Sequence, residues 1–381
     1  MNRNFSIRWD KYTYFIAWSI LALFAIVGIF APLIATDQPY YIKKDNRINW
    51  TMFKDRVTIA ENFQNYDEIK LAPIPFRNEG YTNLNERFVP PGTKVKRGPL
   101  ELTHYLGTDR LGRDVAAGIV FGCRKSLLIA IISIGAASFI GILLGALAGY
   151  WGNKLPVRWS WSLLPVMVLI CYLLYLIKYT IMTVSIGILC MIALVFVIYF
   201  ILKNRRPSVF APVDQIILKL IETFQSIPAL LLLMVIAALI DSPTLITLAL
   251  IIALVRWTSF ARITRAEVMK VNAQDYITAA RVSGLSHRKI ITHYILPETL
   301  GPLVVVFAFG ISSVILLEST LSFLGIGIPI DQVTWGTLLA QARQSTNAWW
   351  LALFPGLCIM LLVFSLNLIG SHLKQHFDAQ D

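Results

Sequence analysis

Two carboxylates, Glu222 and Glu318, fall inside long apolar runs, and a dense set of charged side chains fills the stretch from Arg262 to Lys289 between two more. A mid-membrane charge costs about 2.5–3.5 kcal/mol on insertion scales, so a carboxylate kept there faces the protein interior or a solute pathway. Glu222 follows Asp214 by a couple of helical turns and stays near one edge of its run. Glu318 lies late in its run, just before Leu321-Ser322-Phe323-Leu324-Gly325. Both are candidates for a translocation path or gate. For both, a hydrogen-bonded carboxyl holding neighbouring helices together is an equal reading. Catalytic chemistry finds no such foothold. His104, His287, His293, His372 and His376 do not cluster with carboxylates on any apolar run, and no nucleophile and base stand together. The phosphate-binding loop with its Lys and Ser/Thr is missing throughout, so the chain is expected not to hydrolyse ATP itself and to carry no cofactor or metal.

The elements that position these groups are membrane spans. Hydrophobic residues make up 56% of the chain and charged ones 15%, against about 25% in soluble proteins, and mean hydropathy is +0.64. About 20 apolar residues cross the hydrocarbon core as a helix. That criterion gives eight spans: Tyr12–Ala35, Ser126–Trp151, Trp159–Ile177, Thr180–Leu202, Ile216–Ile240, Thr244–Arg262, Gly301–Ile328 and Trp349–Leu368. The net charge of +12 comes largely from Arg and Lys beside these runs, which points to the positive-inside rule rather than to nucleic acid. With both termini in the cytoplasm, Arg3, Arg8, Lys11, Lys154, Arg158, Lys203, Arg205, Arg206 and the stretch 262–289 all fall on the inner side. Tyr12–Ala35 is too long for a cleaved signal core and reads as an uncleaved first span. Cys123, Cys171, Cys190 and Cys358 are scattered without ligand spacing and read as apolar fillers.

The chain divides into a cytoplasmic N-terminus and first span (1–35), an extracytoplasmic segment with an interfacial helix (36–125), a second span (126–154), an inserted hairpin (155–206) and a core (207–381) with a cytoplasmic loop at 263–297. The outer segment mixes acids and bases, and long segments cross largely regardless of charge. Pro75 to Gly80 and Pro90-Pro91-Gly92 signal turns, and Trp50, Phe53, Tyr66 and Tyr81 could form a small core there. Because 155–206 leaves and returns on the cytoplasmic side, it can be added without reversing the downstream spans.

Asp275-Tyr276-Ile277-Thr278-Ala279-Ala280-Arg281-Val282-Ser283-Gly284, followed by Ile290 to Pro297, predicts two short helices at 276–280 and 288–291. Gly284 supplies a conformation or close approach that a side chain would block, and Pro297 opens the next span. The stretch resembles the coupling loop of binding-protein-dependent ABC importer permeases, where Glu-Ala-Ala precedes a glycine and the loop ends in Leu-Pro. Thr278 stands where the family has glutamate, and Leu296-Pro297 closes the loop. Leu106-Gly107-Thr108-Asp109 and Gly112-Arg113-Asp114 resemble the signature before the second span in permeases of the dipeptide, oligopeptide and nickel importer family. Locally, Thr108 or Asp109 can cap the helix that comes next, with Val115 to Lys125 at the membrane surface. Gly141, Gly145 and Gly149, four apart, place a flat stripe on one helix, read as packing rather than substrate contact.

The resemblance implies an all-α integral membrane protein: a type I importer permease core with an added transmembrane hairpin and a long extracytoplasmic loop. It implies an ATP-driven importer subunit of the cytoplasmic (inner) membrane, moving peptides by alternating access. Asp275, Tyr276, Thr278, Ala279, Ala280, Gly284, Leu296 and Pro297 would couple it to a separate ATPase, which holds ATP and Mg. Two ATPase subunits or domains, a second permease subunit in a heterodimer and an extracytoplasmic substrate-binding protein would complete it. A secondary active transporter without an ATPase is the alternative, and would show internal repeats or broken helices.

Overall fold

The computed structural model describes residues 3–44, 47–50, 68–77, 84–97, 100–153, 155–157, 209–240, 243–327 and 332–378. Its helices are α1 (Arg3–Ile29), α2 (Ala31–Ile34), α3 (Val115–Trp151), α4 (Val213–Gln225), α5 (Ala229–Ala238), α6 (Leu245–Asn272), α7 (Asp275–Val282), α8 (His287–Ile290), α9 (Leu296–Phe323), α10 (Trp335–Ala342) and α11 (Trp350–Asp378). Among the described residues, five helical stretches are long and apolar enough to cross a membrane, or six if the bent pair α4 and α5 counts as one. The protein is mostly helical, but not all helix. Short strands β1 (Tyr41–Lys44), β2 (Arg47–Trp50) and β3 (Glu68–Lys70) form an antiparallel sheet in the order β2-β1-β3, and β4 (Thr93–Arg97) pairs with β5 (Leu100–His104).

The predicted spans at Trp159–Ile177 and Thr180–Leu202 lie outside the described residues. Three other sequence expectations change. The predicted span Ile216–Ile240 is broken by 81° between α4 and α5, because Pro228 lacks the N–H that would continue the helix. α4 is amphipathic: it buries Ile217 and Ile221 and leaves Glu222 exposed. The predicted surface helix at 115–125 is instead the first part of α3, one continuous helix of 37 residues. Finally, α3 is capped by Asp114, whose side chain accepts from the Ala117 amide at 2.8 Å, and not by Thr108 or Asp109.

The glycine stripe is the seam between α3 and α6. A Cβ on Gly141 would lie 2.7 Å from the Trp257 carbonyl, one on Gly145 2.5 Å from the Ala261 carbonyl, and one on Gly149 2.8 Å from the Arg265 carbonyl. Only glycine lets two helix backbones approach this closely over about two turns. At the opposite end of the bundle, Trp335 of α10 is fully buried, and its indole N–H donates to the Ile119 carbonyl of α3 at 3.0 Å. The segment that carries β1 to β5 rests on α2 and α3 through Ala31, Ala35, Ile42, Phe76, Leu102, Ala117 and Val120. Of the aromatics expected to form that core, Phe53, Tyr66 and Tyr81 lie outside the described residues. The chain leaves along β6 (Leu155–Val157) and returns along β7 (Val209–Ala211), paired antiparallel from Leu155 with Ala211 to Val157 with Val209.

Candidate functional site

Between α6 and α9 the chain forms a compact knob. α7 runs eight residues, Gly284 turns the chain at φ +76°, and α8 is capped by Ser286, whose hydroxyl accepts from the Lys289 amide. That φ lies in the left-handed region where a side chain is strained, whereas nothing approaches within 4 Å of a Cβ built on Gly284. The requirement at Gly284 is therefore one of conformation within this chain. α8 continues through a π-helical turn at Ile291–Ile295 into α9. The widened turn sets the Leu296 amide on the Ile291 carbonyl, which lets Pro297 join the helix without its usual clash with the preceding turn.

One face of the knob is core. Ile277, Ala280, Ile290 and Ile295 are buried against Ala146 and Tyr150 of α3 and Val268 and Val271 of α6. The other face is open: Asp275, Tyr276, Thr278, Ala279 and Gly284 are exposed, and Val282 is 84% exposed. Of the residues expected to couple, six thus lie on α7 and its turn, with Ala280 alone of them facing inward. Leu296 is half-buried and Pro297 exposed at the start of α9. The Tyr276 phenol, though exposed, is pushed above the usual tyrosine range, first by partial desolvation against the fold and then by Glu298.

A second layer holds the knob in place, and sequence pattern did not show it. The Tyr150 hydroxyl lies 2.6 Å from His287 Nδ1, and the Arg281 guanidinium sits 5.4 Å from the centre of the Tyr150 ring. Arg281 also donates to Asn272, whose amide in turn donates to the Tyr150 carbonyl at 3.3 Å. These four residues come from α3, the end of α6, α7 and α8. Their separation in sequence leaves no spacing to read; the nearest signal is Tyr150 directly after Gly149 of the stripe.

The two membrane carboxylates lie apart. Glu318 is fully buried on α9; its oxygens accept from Ser322 at 2.9 Å, Ser126 of α3 at 3.3 Å and Ser319 at 3.4 Å. Glu222 is exposed on α4. Its helix is joined to α6 by neighbouring groups instead, Asp214 with Arg265 at 2.7 Å and Gln225 with Arg262. At the far end, the Gly107 to Asp114 motif forms a buried polar tie. Asp109 accepts from the Leu111 and Arg113 amides and from the Arg113 side chain, and Asp114 Oδ2 meets His104 Nδ1 at 2.8 Å. Trp350 of α11 donates to the Thr108 carbonyl at 3.0 Å. Gly107, at φ +78°, is pressed against that indole, which anchors the start of α3 to the start of α11.

Residues 207–379 match the family model described as binding-protein-dependent transport system inner membrane component. The di/tripeptide transport system permease protein DppC of Pseudomonas aeruginosa is 31% identical over 276 residues, 72% of this chain and 72% of that one. The dipeptide transport system permease protein DppC of Haemophilus influenzae is 31% identical over 313 residues, 81% of this chain and 83% of that one. A putative peptide transport system permease protein of Brucella suis is 29% identical over 300 residues, 78% of each chain.

Proposed function

Because the chain belongs to the family of binding-protein-dependent ABC transport permeases, multi-pass inner-membrane subunits that are not themselves ATPases, we propose that it carries peptides inward through the cytoplasmic membrane by alternating access. The observation that carries this reading is the knob: a packed element of α7, Gly284 and α8 whose open face carries Tyr276, Ala279 and Val282 beside Asp275 and Thr278. A protrusion of this mixed character, braced between two span ends, suits docking into a groove on a separate ATPase, which would hold ATP and Mg. Closure of two such ATPases would push the knob, and the knob would move α6 and α9 together because it is continuous with both.

Peptide as substrate is drawn from the relatives, whose names specify dipeptides and di/tripeptides. A single knob per chain calls for a second permease subunit, and an extracytoplasmic binding protein would deliver the peptide to the end that bears β1 to β5. Both termini then lie in the cytoplasm. The α4 and α5 break is a feature that secondary transporters also use, but the family leaves no need for ion coupling. Glu318, tied to α3 by Ser126, would hold the outer ends of α3 and α9 together as a closed gate; Glu222 would meet the cytoplasm near the pathway's inner mouth. β6 and β7 bring residues 155–157 and 209–211 side by side.

The test is purification from membranes and then reconstitution with the binding protein. A stoichiometric ATPase should accompany the chain, and uptake of labelled di- to octapeptides should require ATP. A chain that purifies without any ATPase and takes up peptide along an ion gradient would overturn the reading.

A further inference from the structure

Arg256 lies near the middle of α6, within an apolar stretch, and is half-buried. Its Nε is buried and has no hydrogen-bond partner, and among the described residues no carboxylate reaches it. The other two arginines of this helix segment are engaged, Arg262 with Gln225 and Arg265 with Asp214. A charge retained inside a span without a protein partner marks a solute pathway by default.

The position of Arg256 on α6 gives that pathway a direction. Trp257, Ala261, Thr264 and Val268 turn toward the glycine stripe of α3. Arg256 is rotated about 120° from that face, at about 100° per residue. Ile263 and Glu267 lie beyond it at spacings of seven and eleven, which bring them back to the same side within about 20°. Both line a cavity of about 950 Å³ that is bounded on its other sides by Pro297, Glu298 and Lys374 among others. Arg256 stands about 10 Å along the helix axis above Ile263, on the stripe that the cavity tracks. The cavity walls mix Glu267 and Glu298 with Lys270 and Lys374, a lining that suits a solute bearing both charges.

We propose that Arg256 is a binding residue for the transported peptide, engaging its terminal carboxylate before the peptide enters the cavity between α6, α9 and α11. The planar guanidinium fork matches a carboxylate in two parallel hydrogen bonds. The terminal carboxylate is present on every unmodified peptide whatever its side chains, so this contact serves a carrier of varied sequences. The inference rests on the peptide-import reading.

The experiment compares peptides with free and amidated C-termini in the whole reconstituted transporter, with maximal uptake rates taken at saturating peptide so that differences in capture by the binding protein drop out. The parent should carry the free-acid peptides at least tenfold faster than the amides. Arg256→Gln should lose that preference, with free acids falling to the amide rate, and Arg256→Lys should keep most of it. An equal loss for both peptide forms in Arg256→Gln would overturn the inference and assign Arg256 to a lipid headgroup or to packing. So would failure of both variants to assemble with the ATPase, or a parent without preference. A parent that assembles with its ATPase but imports neither form would overturn the peptide reading itself, and the inference with it.

Discussion

The Tyr150 hydroxyl and His287 Nδ1 are 2.6 Å apart, which ties the last turn of α3 to the first residue of α8 across the base of the knob. The contact links the element that would receive the ATPase stroke to the helix whose glycine seam grips α6. Tyr150→Phe keeps the ring beneath Arg281 and removes only the hydroxyl, a net loss of about 0.5–1.5 kcal/mol for a neutral bond. Faster amide hydrogen exchange across 275–290, with peptide uptake reduced severalfold and the ATPase still bound, is the expected outcome. Exchange identical to the parent would show that Arg281 and Asn272 hold the knob without it.

Gly284 tests conformation against space. Its φ of +76° costs most residues about 1–2 kcal/mol, yet no atom of the chain stands within 4 Å of the missing side chain. Asn visits the left-handed region readily, so Gly284→Asn should transport nearly as the parent does. Gly284→Trp should insert in the membrane normally while losing coupled transport or ATPase assembly, as read by uptake and by co-purification. Equal damage from Asn and Trp would mean that the partner needs the bare backbone.

Gly145 and Gly135 lie on the same helix and should behave oppositely. A Cβ on Gly145 would fall 2.5 Å from the Ala261 carbonyl and 2.7 Å from Thr264 Cβ, while one on Gly135 meets nothing within 4 Å. Gly145→Ala should therefore destabilise by roughly 1–3 kcal/mol through overpacking. Gly135→Ala should be neutral or stabilising by up to about 1 kcal/mol through the helix preference for alanine. Thermal unfolding of the two variants in detergent checks both signs.

The glycine stripe was legible because spacing of four is a local signal with one physical meaning. The two short helices of the knob were legible for the same reason, as was the need for glycine at 284. Long-range ties were not: Tyr150 with His287 and Trp350 with Thr108 join positions more than a hundred residues apart, and no periodicity records them. The break after Gln225 was signalled by Ser226 and Pro228, but the continuous apolar run across them outweighed that signal when length alone defined a span. The predicted span starts at Ser126 and the predicted surface helix ends at Lys125, whereas α3 runs unbroken through both. Arg256 did not stand out because its run reads as one motif of basic and aromatic residues, and only the unpartnered Nε distinguishes it from Arg262 and Arg265.

Asp275 and Thr278 both face outward from α7, and under the proposed coupling they would divide a role that falls to one glutamate in the loop this stretch resembles. Asp275 is the first residue of α7, and the preceding Gln274 makes no side-chain cap. Its carboxylate therefore complements the helix N-terminus, worth about 0.3–1 kcal/mol, while remaining exposed to a partner. Thr278 lies one turn on, exposed, with a neutral hydroxyl in the glutamate's place. A hydrogen bond to a charged group nets about 1.5–3 kcal/mol against about 0.5–1.5 for a neutral one, so the aspartate is the stronger docking group. Asp275→Ala should lower substrate-stimulated ATPase activity more than Thr278→Ala, by severalfold or more, and Thr278→Glu should be tolerated because that position is open. The measurement is ATPase activity of the reconstituted complex with and without peptide. If Asp275→Ala matches the parent while Thr278→Ala abolishes stimulation, the threonine hydroxyl itself makes the essential contact and the charge at the helix start serves only α7.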